Sequence, residues 1–311
     1  MRIAVLQGGR SAEREVSLRS GAQVAGALRA RGHDVAQVDL DDDVWDRLRD
    51  GGFDCVFIAL HGRLGEDGTV QGMLELLSLP YTGSGVLASA LCIDKTRTNR
   101  LLAAEGFRIP DFEESAGDDA EALAERYGLP VVVKPVREGS TIGITIARDV
   151  DALASGLVLA RRYDARVLVQ RFVEGTEVTV GVLGTPELCV LPTLEITYEN
   201  ETYDYDAKYT EGRSHHIIPA RVPEAARRAV ADAAGRAFLA VGCEGMARVD
   251  FIVDRDCVPW LLEVNTVPGL TALSLLPDAA RAAGVEFPDL CERLVRHGVE
   301  RRARHVGPPG H

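Results

Sequence analysis

The sequence predicts a multi-domain α/β protein that opens with a small parallel sheet, and three observations carry this. The chain has 311 residues, and chains beyond roughly 250 to 300 residues usually divide their core among several domains. Strand-like apolar runs alternate with helix-period segments up to about residue 94, as in an open parallel sheet. Beyond that point the alternation gives way to longer loops, paired strands and an acidic stretch, which marks a change of domain.

The elements follow in order. RIAVLQ reads as a short buried strand, GGRSAER as a turn, and EVSLRSGAQVAGALRARG as a helix with apolar residues three to four apart that ends at Gly32. HDVAQVDL is a second strand. FDCVFIALHG is a third, breaking into a glycine-rich loop before a helix around VQGMLELLSL and the turn YTGSG. A helix through TRTNRLLAAEG, the acidic EESAGDDAEALAERYG and the strand LPVVVKP open the second domain. RVLVQRFVEGTEVTVGVLG supplies two strands around a turn at Glu174 and Gly175. ENETYDYDAKYTEGRSHH has neither period and is expected to be a long ordered loop. The helix PEAARRAVADAAGRAFLAVG precedes two strands, MARVDFIV and VPWLLEVN, separated by the turn DRDC. RRARHVGPPGH is expected to be a frayed tail.

Composition narrows the function. Hydrophobic residues make up 46% and charged residues 26%, close to the average of soluble globular proteins, so disorder is a poor reading. The opening MRIAVLQGGR carries no cleavage signal, and no apolar run approaches the roughly 18 residues of a membrane span. A cytosolic protein is expected. Six scattered cysteines without CxxC spacing (Cys55, Cys92, Cys189, Cys243, Cys257, Cys291) read as buried free thiols. A net charge of -12 argues against general binding to nucleic acid or an anionic membrane, since both need a broad basic surface.

Of 35 basic side chains only Lys95, Lys134 and Lys208 are lysines. A drift toward arginine spares lysine where a compact, flexible ammonium is required, which makes these three functional candidates against the alternative of chance survival on the surface.

The strongest constellation is Arg248, Asp250, Glu263 and Asn265. Side chains two apart on a strand share a face, so a hairpin would set Asp250 beside Glu263 and Asn265, three hard oxygen donors suited to magnesium held with substrate phosphates. The alternative is an exposed hairpin with an ordinary ion pair, against which the apolar flanks FIV and VPWLLEV argue. KPVREGSTIG places Lys134 at a strand end before a loop with Ser140 and Thr141 that could cover phosphate. Taken alone the loop fits an ordinary hairpin turn equally well. No GxxxxGK[ST] occurs, and the Gly8-Gly9 turn lacks GxGxxG spacing, so P-loop and NAD readings fail. His61 follows a buried strand at the carboxyl edge where open parallel sheets bind ligands. Glu13 lies where the first strand turns into a helix and could meet an ammonium group there, or be a solvated first-turn glutamate.

Together these segments closely resemble the D-alanine–D-alanine ligase family, nearly end to end. GGRSAEREVSLRSG, LHGRLGEDGTVQGMLELLSLPYTGSG, ASALCIDK, KPVREGSTIG, YDYDAKY, ARVDF and LLEVNTVPGLTALSLLP stand in family order and spacing. The resemblance implies an ATP-grasp fold, two α+β subdomains holding ATP, behind the small parallel-sheet domain. The segments would be 1–93, with the first D-alanine site; 94–177; and 178–311, with the metal site and a mobile loop. It implies ATP contacts from Lys95, Lys134, Ser140 and Lys208, the ribose at Glu177, and two magnesium ions, with manganese as a substitute, on Asp250, Glu263 and Asn265. Lys208 and Tyr209 would lie on the loop that closes over the site, with Glu13, Ser140 and Tyr209 in one hydrogen-bonded set. Arg248 and the backbone of Gly269 would stabilise an oxyanion, His61 would hold the first D-alanine carboxylate, and Ser274 and Leu275 the second D-alanine. A homodimer is also implied.

The expected reaction joins two D-alanine molecules at the cost of one ATP, through an acyl phosphate that a closed lid protects from water. Some positions depart from the family pattern: Thr141 and Val267 where serine is frequent, Asn99 where a second lysine often stands, and Leu273 where histidine is common. Val267 and Leu273 flank the acceptor segment. Tyr209 favours an amine acceptor over D-lactate. The nearest rival is a ligase with D-lactate or D-serine as acceptor; a rival of another class, a nucleotide-binding regulator without turnover, would be expected to carry a broken metal set.

Overall fold

A computed structural model of the chain describes residues 1–115, 117, 119–139, 141–184, 187–198, 214–271 and 274–305. Ser140, Lys208, Tyr209 and Leu273 therefore lie outside the described residues, as does most of the expected loop, residues 199–213.

The first unit contains β1 (Arg2–Gln7), α1 (Arg14–Ala30), β2 (Asp34–Asp39), α2 (Val44–Asp50), β3 (Cys55–Ile58) and α3 (Thr69–Leu76). Its three strands form a parallel sheet in the order β2-β1-β3. β1 is apolar from Ile3 to Leu6 because both faces are covered there. Ile3 and Val5 pack in one core with Val24 and Leu28 of α1, while Ala4 and Leu6 pack in another with Leu48 of α2 and Leu74 of α3. Helix α1 stops where Gly32 takes φ +80, a left-handed turn that glycine adopts without steric cost.

Next come α4 (Val86–Ile93) and α5 (Lys95–Ala104), followed by β4 (Phe112–Ser115), α6 (Ala120–Tyr127), β5 (Val131–Pro135), β6 (Thr145–Ala147), α7 (Val150–Arg161) and β7 (Val167–Arg171). The four strands form an antiparallel sheet in the order β4-β7-β5-β6. Period-2 alternation sorts its sides: Val131 and Val133 pack against Leu153 and Leu157 of α7, while Val132 and Lys134 face the opposite way.

The last unit holds β8 (Gly175–Gly184), β9 (Leu188–Val190), β10 (Leu194–Tyr198), β11 (Ser214–Ile217), α8 (Glu224–Ala240), β12 (Gly245–Asp254), β13 (Pro259–Asn265), α9 (Leu275–Ala282) and α10 (Phe287–His305). Its strands run β11-β10-β8-β12-β13, with β9 paired to β8. One face buries Val178, Val180, Val182, Val249 and Phe251 with Phe238 of α8. The other face is split along its length. Leu183 and Met246 at one end pack with Leu276 and Leu294 of α9 and α10, and Thr179, Arg248 and Asp250 occupy the other end. The expected boundary between 177 and 178 falls inside β8, and Cys92 and Leu102 of α4 and α5 pack into the core of this last sheet.

Three expectations are corrected. Residues 301–305 are not a frayed tail but the last turns of α10, because Arg301 is buried there: its guanidinium donates to the Gly83 carbonyl at 2.6 Å and lies over the Tyr81 ring. Ser214–His216, read as loop, begin β11, where backbone pairing with β10 outweighs the polar composition. All six cysteines are free, but Cys189 is exposed and Cys257 half-buried.

Candidate active site

The hairpin β12–β13 supplies the centre of the site. Its register sets Asp250 opposite Glu263 and Arg248 opposite Asn265, until a bulge at Leu262 shifts the pairing. The expected juxtaposition of these four residues is thus present. Arg248 grips Asp250 with two bonds, Nε to Oδ1 at 2.8 Å and Nη2 to Oδ2 at 2.7 Å. Thr179, opposite Asp250 on β8, donates to Oδ1 at 2.6 Å. Arg248 Nη2 also lies 3.9 Å from Glu263 Oε1, and Lys95 Nζ lies 3.5 Å from Glu263 Oε2.

Both described lysines converge here. Lys95 opens α5 just after Asp94, whose carboxylate caps that helix by accepting from the Arg97 N–H. Its ammonium donates to the Glu138 carbonyl at 2.6 Å. Lys134 lies next to the end of β5 and is buried; burial pulls its pKa down to about 8, the Lys95 ammonium pushes the same way, and Glu263 and Asp250 hold it up.

A cleft between the four-stranded and the last sheet collects Lys95, Lys134, Glu177, Asp250 and Glu263. Its remaining wall is largely apolar, with Val132, Ile144, Ile146, Phe172, Val173, Ile252 and Leu262. Flat apolar walls at one part and paired cations and carboxylates at another fit an aromatic base joined to a polyphosphate. Two orphaned polar atoms agree with a polar ligand: Gln170 Nε2 and Thr141 Oγ1 are buried, line the cleft and have no hydrogen-bond partner among the described residues. For a divalent cation the donors are the carboxylates of Asp250 and Glu263 and the amide of Asn265, whose Oδ1 is oriented by accepting from the Val267 N–H at 3.0 Å. Among the described residues no three His, Cys, Asp or Glu side chains cluster as a metal group. Such a set suits magnesium that keeps phosphate oxygens and water as its other ligands, not a cation caged by protein alone.

The second cluster belongs to the first sheet. His61 follows β3 and is 5% exposed; its Nε2 lies 3.2 Å from Ser20 Oγ and its Nδ1 3.4 Å from Glu66 Oε1. Burial opposes a proton on His61, but the bond and charge of Glu66, with Glu13 nearby, outweigh it and raise its pKa. Burial, and then the Glu13 charge, also raise the pKa of Glu66. Glu13 is buried and borders both loops. A Cβ on Gly62, whose φ is +69, would stand 2.9 Å from Glu13 Oε2, and one on Gly139 would stand 3.4 Å away. The loop after Lys134 therefore reaches the His61 cluster where Gly139 meets Glu13.

Gly269 and Ser274 meet in the segment after β13. A Cβ on Gly269 would come 2.7 Å from Ser274 Oγ, which also accepts from the Thr271 N–H at 2.9 Å. Leu275 then starts α9.

Sequence reasoning missed Glu66, Thr179 and Gln170. Glu66 had a signal, an acid five residues after His61 in a loop leaving a buried strand. Thr179 and Gln170 had none, because their roles come from cross-strand register with β12 and β5.

Comparison with known proteins agrees with this arrangement. A family model described as D-ala D-ala ligase C-terminus matches residues 101–296, and one described as D-ala D-ala ligase N-terminus matches residues 45–84. The D-alanine–D-alanine ligase of Desulforudis audaxviator is 52% identical over 304 residues, 96% of this chain and 99% of that one. That of Pelotomaculum thermopropionicum is 49% identical over 309 residues, covering 96% and 97%. The crystal structure of D-alanine–D-alanine ligase from Bacillus anthracis complexed with ATP superposes with a TM-score of 0.85 at 32% identity, covering 98% of this chain and 99% of that one. With that identity over almost its whole length, the chain belongs to the D-alanine–D-alanine ligase family.

Proposed function

We propose that the chain uses ATP to join two D-alanine molecules into D-alanyl-D-alanine, the dipeptide that feeds peptidoglycan synthesis. The observation that carries this reading is the cleft in which Lys95, Lys134, Asp250 and Glu263 face one another, bordered through Gly139 by the buried Glu13 and His61.

A carboxylate is a poor electrophile, so the first D-alanine must be activated as its acyl phosphate before an amine can displace phosphate. Lys95 and Lys134 hold the ATP phosphates, and Glu177 takes the ribose. Asp250, Glu263 and Asn265 hold the magnesium ions, for which manganese can substitute. When bound, these ions supply positive charge between the two reacting anions. Glu13 receives the ammonium group of the first D-alanine and His61 its carboxylate, a division that suits a zwitterion. Ser274 and Leu275 hold the second D-alanine. The Arg248 guanidinium and the Gly269 N–H stabilise the oxyanion that forms as the amine attacks. Ser140, Lys208 and Tyr209 complete the set, Ser140 with Glu13 and Tyr209, and Lys208 on the loop that covers the site. Segments 1–93, 94–177 and 178–311 serve as substrate, nucleotide and metal portions. The protein works in the cytoplasm, where ATP is made available, and as a homodimer; no described helix is long and apolar enough to cross a membrane.

The test is ADP release with ATP and magnesium, with and without D-alanine, compared with L-alanine, D-serine and D-lactate. Strict dependence on D-alanine, with the dipeptide seen by mass spectrometry, is the expected outcome. Release that requires D-serine or D-lactate as acceptor overturns the substrate and leaves the ATP chemistry standing.

A further inference from the structure

One half-buried side-chain pair takes no part in this mechanism. His216 lies on β11, the last strand of its sheet, and Asp278 lies in the first turn of α9. His216 Nδ1 sits 2.5 Å from Asp278 Oδ2, across 62 residues of sequence, with side chains only 16% and 13% exposed. The second Asp278 oxygen accepts from Arg281 Nη2 at 2.6 Å. We infer that His216 and Asp278 are a positioning pair that fixes the first turn of α9, and through it the Ser274 end of the acceptor site.

The inference rests on the ligase reading above, in which Ser274 and Leu275 receive the second D-alanine. Helix α9 has 8 residues, too few to hold its own geometry in isolation. It also lacks the usual device for fixing its start. Ser274 is its N-cap, yet the hydroxyl makes no bond to the helix it caps and turns back to Thr271 instead. Leu276, Ala279 and Ala280 bury one side of the helix, and a Cβ at Gly181 would stand 2.6 Å from Leu276 Cδ1. Apolar contact of that kind resists withdrawal from the sheet but tolerates rotation and sliding. A hydrogen bond to a largely desolvated carboxylate is directional and does not. Asp278 also donates its backbone N–H to the Ser274 carbonyl at 3.2 Å, so a shift of the Asp278 side chain is passed within one turn to the residue that meets substrate. Burial opposes the charge on Asp278, and the His216 bond, with Arg281 assisting, outweighs it and lowers the pKa. The carboxylate is therefore held ionised, as the clasp requires.

The experiment measures ADP release against D-alanine concentration at saturating ATP, resolved into two apparent constants, for the wild type, Asp278→Ala, His216→Phe and the double variant. The constant for the second D-alanine should rise about tenfold in either single variant, with the ATP and first D-alanine constants within about twofold of wild type. The double variant should be no worse than the singles, because both remove one interaction. Should Asp278→Ala fail to fold, the isosteric Asp278→Asn gives the same readout with a shift of about threefold. A lowered melting temperature with the ratio of the two D-alanine constants unmoved makes the pair merely structural and overturns the inference. Wild-type protein without D-alanine-dependent ADP release sinks the ligase reading and this inference together; an active wild type with unmoved acceptor constants sinks this inference alone.

Discussion

At the β12–β13 hairpin each carboxylate meets a cation, Asp250 the Arg248 guanidinium and Glu263 the Lys95 ammonium. Beside β3 the acids instead crowd one another: Glu13 and Glu66 share a buried space with His61, and burial raises the Glu66 pKa. In the proposed reading, the first arrangement keeps negative charge in place for metal ions and sets two lysines toward phosphate. The second sets an imidazole beside buried carboxylates, which in the proposed reading meet the two ends of an amino acid. The same residue types thus hold different partners, according to whether the surrounding chain supplies cations or withholds them.

Breaking the hairpin should have the largest effect. Asp250→Asn or Glu263→Gln removes the charge of a proposed metal ligand while keeping shape, and ADP release should fall by roughly 100-fold or more with the circular dichroism spectrum unchanged. Near-normal turnover in either variant would end the metal assignment. Lys134→Arg comes next. The guanidinium is broader than the ammonium it replaces, and this position is buried beside Lys95 and Glu263. The apparent constant for ATP should rise about tenfold, read from ADP release at fixed D-alanine.

These effects depend on positions that were legible in the sequence to different degrees. Asp250, Glu263, Arg248 and Asn265 were readable because a strand's period of two and a short turn determine which side chains face one another. Lys95 and Lys134 stood out by rarity, and the three-stranded parallel sheet by its alternation of elements. Glu66, Thr179 and Gln170 were hidden because their importance comes from long-range pairing, which local periodicity does not encode. Arg301 misled for a related reason: a charged residue near the chain end looks solvated until the Gly83 carbonyl and the Tyr81 ring are brought to it by the fold. His216 and Asp278 are 62 positions apart and carry no shared pattern.

The second cluster should respond to pH. His61 and Glu66 both have folded pKa values above their ordinary ones of 6.5 and 4.5. A group whose pKa rises on folding binds its proton more tightly in the folded state. Its stabilisation is complete below the unfolded pKa and is lost as pH rises through the folded one. Melting temperature should therefore fall as pH climbs from about 5 to 8. Glu66→Gln removes one of these groups and the charge that raises the other, so its melting temperature should fall less over the same window. An equal decline in both proteins would assign the pH response to other groups.

The smallest effect is expected at Ser20, which tests whether the His61 cluster works by charge alone or also by orientation. Ser20 is fully buried on α1, and its hydroxyl lies 3.2 Å from His61 Nε2 on the side of the ring away from Glu66. Ser20→Ala leaves the charges of Glu13, Glu66 and His61 in place and removes one bond that fixes the imidazole plane. If orientation matters, the apparent constant for the first D-alanine should rise by about two- to fivefold, the size expected for one neutral hydrogen bond, while the ATP constant stays put. If the constant does not move, Glu66 and the Val267 backbone position the ring. The contrast with the hairpin would then sharpen further: there Asp250 is gripped by the side chains of both Arg248 and Thr179, whereas His61 would be oriented by one acid and the Val267 backbone.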